Sequence, residues 1–385
     1  METKIKVLYL INHTVPYGAN KALLNVLDEI IEMGVCPTVV TAFDGGICSD
    51  LDFRKIPYVI IPHVFSIYPE LNSFRDYMLF FPRLIRDCII NAIAAFKLSS
   101  LVKKTNPVII HTNIGPDHLG FYVARKLNIP HVWHIREYQD LFFNMRPIFS
   151  MRGFKRKLQS LENFPIAVTK QIYEHYSMNN NAKVIYDGVM RSNDFRFESN
   201  KNNYFLFVGR VEEAKGVGVL IKAYIKFCKL NYDFDLYLAG DVATNYKKEL
   251  DDIINKEGLS EKIHFLGFRS DVNDLMAKAT ALIVPSRFEG FGFITVEAMF
   301  NGCLIIGHDS GGTQEILKND NLGILYNDSE DLTIALKTLV FNGIESYFPI
   351  IKKAQEKALS LYSKEENGNQ IFKFYNEILN KSNNK

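Results

Sequence analysis

The sequence predicts an α/β protein built from two successive nucleotide-binding-type domains, and three observations carry that prediction. At 385 residues the chain is long enough for two domains of ordinary size, each with its own core, and its 47% apolar content is the usual globular share. Short apolar runs rich in β-branched residues recur at strand length and alternate with stretches of helical spacing. Residues 281–312, ALIVPSRFEGFGFITVEAMFNGCLIIGHDSGG, form one strand–loop–helix–strand turn of the kind that builds a parallel sheet.

Taken in order, residues 5–12 read as a buried strand and 13–18 as a loop. A helix over 19–33 follows, with Leu23, Leu24, Leu27, Ile30 and Ile31 on one face. Residues 35–42 and 58–61 are further strands. Between 75 and 104 the character changes. From Phe81, the residues Leu84, Ile85, Cys88, Ile89, Ala92, Ile93 and Phe96 make one helical stripe, with Arg83, Arg86, Asp87 and Asn91 off it. Such a stripe has two readings. One is a helix facing the core. The other is a helix lying on a membrane surface, consistent with Tyr77, Phe80 and Phe81 beside it. A basic cluster at 146–157, RPIFSMRGFKRK, interleaves Arg146, Arg152, Lys155, Arg156 and Lys157 with Phe149 and Phe154 and suits the second reading.

Residues 108–112 are a strand ending in His111-Thr112-Asn113, a helix spans 118–127, and 131–137 is a short strand whose polar end carries His134, Arg136 and Glu137. A lone histidine is usually a satisfied structural group, but this one stands at a strand's carboxyl end beside a cation and an acid, so a site role stands next to the structural one. Strands at 165–169 and 183–186 finish the first domain. The polar, Asn-rich residues 190–203 read as a linker. A strand at 204–208 opens the second domain and ends in Gly209-Arg210, and Lys215-Gly216 introduces the next helix. Residues 234–239, 262–266 and 281–284 continue the sheet with helices between. Residues 303–307 and 322–326 complete it, and from 329 the pattern is helical to a frayed tail at 380–385.

The loop at 286–292 has a chemical reading. Gly290 and Gly292 let backbone approach a ligand, and the amides opening the helix at Phe293 favour an anion or a dense set of hydroxyls. Carboxylates at Glu289 and Glu297 each accept two hydroxyl hydrogen bonds, the geometry of a vicinal diol. The bland alternative is a solvated loop acid and a dipole-favoured helix acid. Arg210 and Lys215, at a strand end beside a helix start, suit a pyrophosphate, against the alternative of ordinary loop cations.

Pro285, Ser286, Glu289, Gly290, Phe291, Gly292, Glu297, Ala298, Met299 and Gly302 together resemble the donor-sugar signature of the retaining family 4 glycosyltransferases. The resemblance implies an α/β protein of GT-B fold, two Rossmann-like domains facing across a cleft. The expected boundaries are 1–190 for the acceptor-side domain, 191–365 for the nucleotide-sugar domain and 366–385 for a helix crossing back. It implies that Glu289 contacts hydroxyls of the transferred sugar and Glu297 holds the nucleotide's ribose. V-G-R-x-x-x-x-K-G, with Arg210 and Lys215, looks like the family's diphosphate clamp, and Phe268 and Arg269 face the nucleobase. Gly290, Phe291, Gly292 and Phe293 line the donor, and Gly18 sits near the diphosphate or the acceptor, although Gly18-Ala19 replaces the common pair of glycines. His134 matches an acceptor-side polar residue that an acid often follows; here Ile135-Arg136 intervenes. Asp187-Gly188-Val189 resembles the family's Asn-Gly-Val turn with Asp for Asn. The expected catalytic set is Glu289, Arg210, Lys215 and His134.

Composition narrows the partners. A net charge of +2 with no basic tail gives no ground for nucleic acid. Residues 1–190 hold 21 Lys/Arg against 16 Asp/Glu, and the remainder 24 against 27, so the front half suits an anionic surface or substrate. Five scattered cysteines, never in C-x-x-C spacing, read as thiols in a reducing compartment rather than zinc ligands. No secretory leader pattern opens the sequence and no apolar run approaches about 18 residues, so the expected location is cytoplasmic, with peripheral contact to the inner membrane face through 75–104 and 146–157 under the second reading. Asp50-Leu-Asp52 and Asp233-Phe-Asp235 fit the letters of a metal-bridging D-x-D but read as boundary acids, so neither metal nor cofactor is expected. The expected partners are a nucleotide-sugar donor and a glycan or lipid-linked acceptor, with hexose transfer serving surface polysaccharide synthesis. Three rivals remain: a nucleotide-sugar epimerase on the same fold, a non-catalytic nucleotide-sugar-binding partner, and a glycoside hydrolase using Glu289 and Glu297 as paired acids. The hydrolase is disfavoured because its acids must face one glycosidic bond.

Overall fold

The computed structural model describes residues 5–12, 18–141, 144–230 and 232–383. Two compact units emerge, one of Met1–Gly188 with Lys364–Lys385 and one of Val189–Ser363.

The first unit runs β1 (Ile5–Ile11), α1 (Ala19–Ile30), β2 (Val35–Thr41), α2 (Ile47–Phe53), β3 (Tyr58–Ile60), α3 (Phe74–Thr105), β4 (Ile109–Thr112), α4 (Leu119–Leu127), β5 (His131–Ile135), α5 (Ser150–Leu158), β6 (Asn163–Ala167), α6 (Lys170–His175) and β7 (Lys183–Val184). Its strands form a parallel sheet in the order β3-β2-β1-β4-β5-β6-β7. The order reverses between β1 and β4, so the crevice at their carboxyl ends is the unit's switch point. Both faces of β1 are covered, because Val7, Tyr9 and Ile11 pack with Leu23, Leu27 and Ile30 of α1 while Leu8 and Leu10 meet Leu98 and Val102 of α3. That is why β1 reads as an unbroken apolar run rather than an alternating one.

The second unit continues with β8 (Asn202–Val208), α7 (Val217–Cys228), β9 (Asp235–Ala239), α8 (Thr244–Lys256), β10 (Ile263–Gly267), α9 (Val272–Lys278), β11 (Ala279–Val284), α10 (Phe293–Phe300), β12 (Leu304–His308), α11 (Gly311–Lys318), β13 (Ile324–Tyr326), α12 (Ser329–Asn342) and α13 (Phe348–Leu361). Its parallel sheet is ordered β10-β9-β8-β11-β12-β13, with the switch point between β8 and β11. Leu220, Tyr224 and Phe227 of α7 and Leu332, Leu336 and Leu339 of α12 bury this sheet through Phe205, Leu236, Leu238, Ile283 and Ile306. The chain then returns to the first unit as α14 (Lys364–Asn383), whose Ile371, Phe374, Tyr375 and Ile378 pack with α1 residues Leu23, Leu24 and Leu27.

Several expectations change. The stripe on α3 does not face the core. Only Ala94, Leu98, Ser99 and Val102 of that helix are buried, while Phe81, Ile85, Ile89, Ile93 and Phe96 are each more than half exposed. The helix also begins earlier than its apolar run suggests. Ser73 caps it, its hydroxyl accepting from the Asp76 N–H at 3.3 Å, and Pro82 is tolerated inside at the loss of one backbone donor. Cys88 is exposed on the same helix, whereas Cys48 and Cys303 are buried. Residues 190–203 are not a slack linker: the Arg196 N–H donates to the Phe300 carbonyl at 2.9 Å, and β8 starts at Asn202. The tail expected to fray is helical to Asn383. The short helices α2, α5 and α6 have too few turns to show a periodic pattern. Residues 13–17 of the expected first loop lie outside the described residues. Asp50 and Asp52 lie on α2, and Asp233 and Asp235 both pair with Lys262, at 2.6 and 3.3 Å.

Candidate active site

In the second unit the reactive-looking residues gather at the switch point. Gly209 and Arg210 leave the end of β8, a 3-10 turn over Glu213–Lys215 follows, and the loop bearing Glu289 leaves the end of neighbouring β11. Lys215 Nζ donates to Glu289 Oε1 at 2.7 Å, with both side chains largely shielded from water. Backbone contact forces that meeting. Gly216 has φ +74°, and a Cβ there would stand 2.3 Å from the Pro285 carbonyl oxygen, so the turn bearing Lys215 lies directly on the end of β11. On the other side the Gly312 N–H donates to the Glu289 carbonyl at 2.8 Å, and a Cβ at Gly312 would stand 2.0 Å from the Phe291 carbonyl oxygen. The loop from Ser286 to Gly292 is thus held between two backbone approaches that admit only glycine.

The other expected donor residues divide. Glu297 is partly exposed, just inside α10, which Gly292 opens without a side-chain cap. Phe291 is buried against Phe293 and Tyr362, ring centroids 5.8 and 5.7 Å away, so it supports the loop and presents only backbone to a ligand. Gly290 and Phe293 are partly exposed on either side of it. Arg210 is not aimed at Lys215 and Glu289. Its side chain is 71% exposed and meets Glu212 at 3.3 Å, a weak surface contact. Phe268 is exposed after β10, and Arg269 makes a two-pronged pair with Asp271 at 2.7 and 2.5 Å. Ser310 is an addition: its hydroxyl bonds His308 Nδ1 at 2.8 Å and the Arg287 carbonyl, tying the loop after β12 to the loop after β11. Only the Ser-Gly-Gly turn signalled it.

In the first unit a polar cluster fills the carboxyl ends of β4 and β5. Gly18, at φ +53°, opens α1, and Asn113 Nδ2 holds the Ala19 carbonyl at 2.8 Å. His134 is fully buried. Its Nδ1 accepts from Arg136 Nη2 at 3.1 Å, which leaves the proton on Nε2, and that nitrogen has no hydrogen-bond partner among the described residues. Burial first, then Arg136, holds the His134 pKa well below its ordinary value, so the ring is neutral. Arg136 also reaches Asn113 Oδ1 at 3.1 Å and pairs with the buried Asp187. His111 lies 5.5 Å from His134 with the rings tilted by 34°, and its Nδ1 bonds the Tyr375 hydroxyl at 2.6 Å, which in turn meets the Tyr9 hydroxyl at 2.7 Å. These partners come from β1, β4 and α14, separations no sequence spacing reveals.

Burial pushes Glu137 up to about 7, although the Gly115 N–H donates to its Oε1 at 2.8 Å. The native protein therefore keeps this proton where the unfolded chain has lost it, so stability falls as pH rises from the ordinary 4.5 to about 7 and stays flat above. Glu137→Gln preserves an acceptor and removes the slope. Urea melts should show it gaining about 3 kcal/mol on wild type between pH 4.5 and pH 8. A constant difference across that range would place the titration elsewhere.

Residues 191–357 match the family model for glycosyl transferases group 1. Over 342 residues the chain is 31% identical to an uncharacterized glycosyltransferase of Methanocaldococcus jannaschii, spanning 81% of this chain and 90% of that relative. It is 32% identical over 143 residues to the N-acetylgalactosamine-N,N'-diacetylbacillosaminyl-diphospho-undecaprenol 4-alpha-N-acetylgalactosaminyltransferase of Campylobacter jejuni, covering 36% of this chain and 38% of the other. Among solved structures, Anabaena HepE in complex with UDP superimposes with a TM-score of 0.79 at 20% identity, covering 97% of this chain and all of that one, and HepE is also solved with UDP-glucose. That likeness gives the fold as GT-B. The chain belongs to the group 1 glycosyl transferases and is a glycosyltransferase.

Proposed function

We propose that this glycosyltransferase takes a hexose from a nucleoside-diphosphate donor and passes it, with retention of configuration, to a glycan or lipid-linked acceptor in surface polysaccharide assembly. One observation carries the reading: Lys215 and Glu289 meet at the carboxyl ends of β8 and β11, where open parallel sheets take their ligands. With donor bound, Lys215 and Arg210 neutralise the diphosphate, Glu289 is released to accept sugar hydroxyls, and Glu297 accepts from the ribose. The bond from the anomeric carbon to the diphosphate oxygen breaks, and the acceptor oxygen bonds that carbon from the same face. The acceptor proton passes to the departing phosphate oxygen. Two cations suffice for the charge, so no metal is invoked. His134 is fully buried with its Nε2 facing Asp187 Oδ1 at 3.8 Å, so its part in this reading is to position the polar cluster at the ends of β4 and β5 rather than to touch the sugar. The nucleotide in HepE makes uridine diphosphate sugars the first to try, and the Campylobacter relative's name supplies the lipid-diphosphate acceptor class. Such acceptors and donors meet at the cytoplasmic membrane face, where we place the enzyme.

A thermal-shift panel of UDP-, GDP-, ADP- and TDP-hexoses tests this. A donor present at a hundred times its dissociation constant stabilises the native state by about 2.7 kcal/mol and should raise the melting temperature by about 5 °C or more. If none of the donors moves the transition, the nucleotide-sugar reading fails.

A further inference from the structure

The outward face of α3 is apolar along most of its length. Phe74, Tyr77, Met78, Phe81, Ile85, Ile89, Ile93 and Phe96 are all more than half exposed, and apart from the adjacent Tyr77 and Met78 they succeed one another every three or four residues. At 1.5 Å per residue they draw a line of about 33 Å. With Phe74 at 82%, Phe81 at 69% and Phe96 at 75%, and about 200 Å² to an aromatic side chain, the three phenylalanines alone expose roughly 450 Å². That already matches the largest apolar patch of an ordinary monomer, with five more residues still to count. The helix is held from behind, where Asn91 bonds the Val64 backbone in both directions at 3.0 Å and Phe80 stacks on Tyr68 at 6.0 Å.

The two clusters that lie apart in sequence are joined in space. Ile67 bridges to Pro147, the Tyr68 N–H donates to the Arg146 carbonyl at 2.8 Å, and the Ile148 N–H donates to the Ser66 carbonyl at 3.0 Å. The start of the basic segment therefore lies beside residues 66–68, on which Phe80 of α3 stacks through Tyr68, and α5 with Arg152 and Arg156 leads away from that point. Lys155 and Lys157 are spent internally, on the His175 carbonyl and on His118 and Tyr122, whereas Arg146, Arg152 and Arg156 are exposed with no pairing acid among the described residues. On α3 itself Asp76 is held by Arg83 and Asp87 by Arg86, leaving Arg75, Lys97, Lys103 and Lys104 as net cations.

We infer that the exposed face of α3, with Arg146, Arg152 and Arg156 beside it, is a docking surface for an anionic lipid bilayer, on which the helix lies flat. Charge selects this occupant over a second copy of the chain, because two such faces brought together would set one cationic rim against another. A bilayer accepts the phenylalanines and isoleucines at its acyl boundary and answers the arginines with phosphates. Among the described residues no helix is long and apolar enough to cross a membrane, so the contact is peripheral. The inference stands whether or not the proposed donor and acceptor are right, and its test uses neither.

The full chain is sedimented with vesicles of phosphatidylglycerol and phosphatidylethanolamine in equal parts, and with vesicles of phosphatidylcholine alone. Binding is expected to the first, weaker to the second, and to fall with added salt. I85E/I89E replaces two exposed side chains, so its circular dichroism and melting temperature should match wild type while vesicle affinity drops about a hundredfold. R146E/R152E/R156E should lose a similar factor on anionic vesicles only. The inference is overturned if wild type stays in the supernatant at low salt, or if I85E/I89E binds as well as wild type. It is equally overturned if sedimentation velocity finds a dimer that I85E/I89E dissociates.

Discussion

Lys215→Ala should lower the rate of sugar transfer by roughly a hundred- to a thousandfold, the usual cost of removing one preorganised charge partner from a developing anion. In the proposed mechanism the leaving diphosphate gains charge as its bond to the sugar lengthens, and of the two cations assigned to it Lys215 is largely shielded from water whereas Arg210 is exposed. Donor hydrolysis without acceptor should fall by a similar factor, because the same bond breaks. With Glu289 assigned to the sugar hydroxyls, Glu289→Ala should raise KM for the donor as well as lower kcat. Because the two side chains pair with each other before the donor arrives, each single change also frees its partner, so the double variant should lose less than the product of the singles. Initial rates of nucleoside diphosphate release, with and without acceptor, settle the matter. Full activity in both single variants would sink the assignment of this clamp.

Arg136→Met should destabilise the first unit by about 3–5 kcal/mol, the expected cost of leaving a buried charge without its partner. Asp187 is 2% exposed and depends on that guanidinium; burial alone already raises its pKa, and Arg136 opposes the rise. Asp187→Asn strands the arginine and should cost a comparable amount. Arg136→Met combined with Asp187→Asn should recover at least half the loss, since no buried charge is left over. Urea denaturation of the four proteins measures this cycle. Equal destabilisation of the single and double variants would mean that the pair is not the source.

That pair also accounts for two departures from the family resemblance. An arginine intervenes between His134 and the acid that the pattern has following it, and Asp187 stands where the junction turn has asparagine. Read along the chain they are separate oddities fifty-one positions apart, and in the fold each is the other's counterion. Strand and helix order was legible because fully covered parallel strands are continuous apolar runs. Glu289 and Lys215 were legible because their loops carry glycines that only close backbone contact requires. The stripe on α3 was legible as a helix but not as a face. Periodicity reports that one side is apolar and says nothing of what lies against it. The partners of His111 and His134 were illegible because tertiary packing assembles them from β4, β5 and α14.

The path of the chain has a consequence for biogenesis. Residues 364–383 complete a core begun by residues 5–30, yet a ribosome delivers them only after the whole second unit. A nascent chain can finish its second unit while the first still waits with the groove of Leu23, Leu24 and Leu27 uncovered, so vectorial synthesis exposes a sticky half-domain for the time needed to translate the intervening segment. Holdase chaperones would be expected to engage that interval, and premature termination before Lys364 should yield aggregates rather than a soluble fragment.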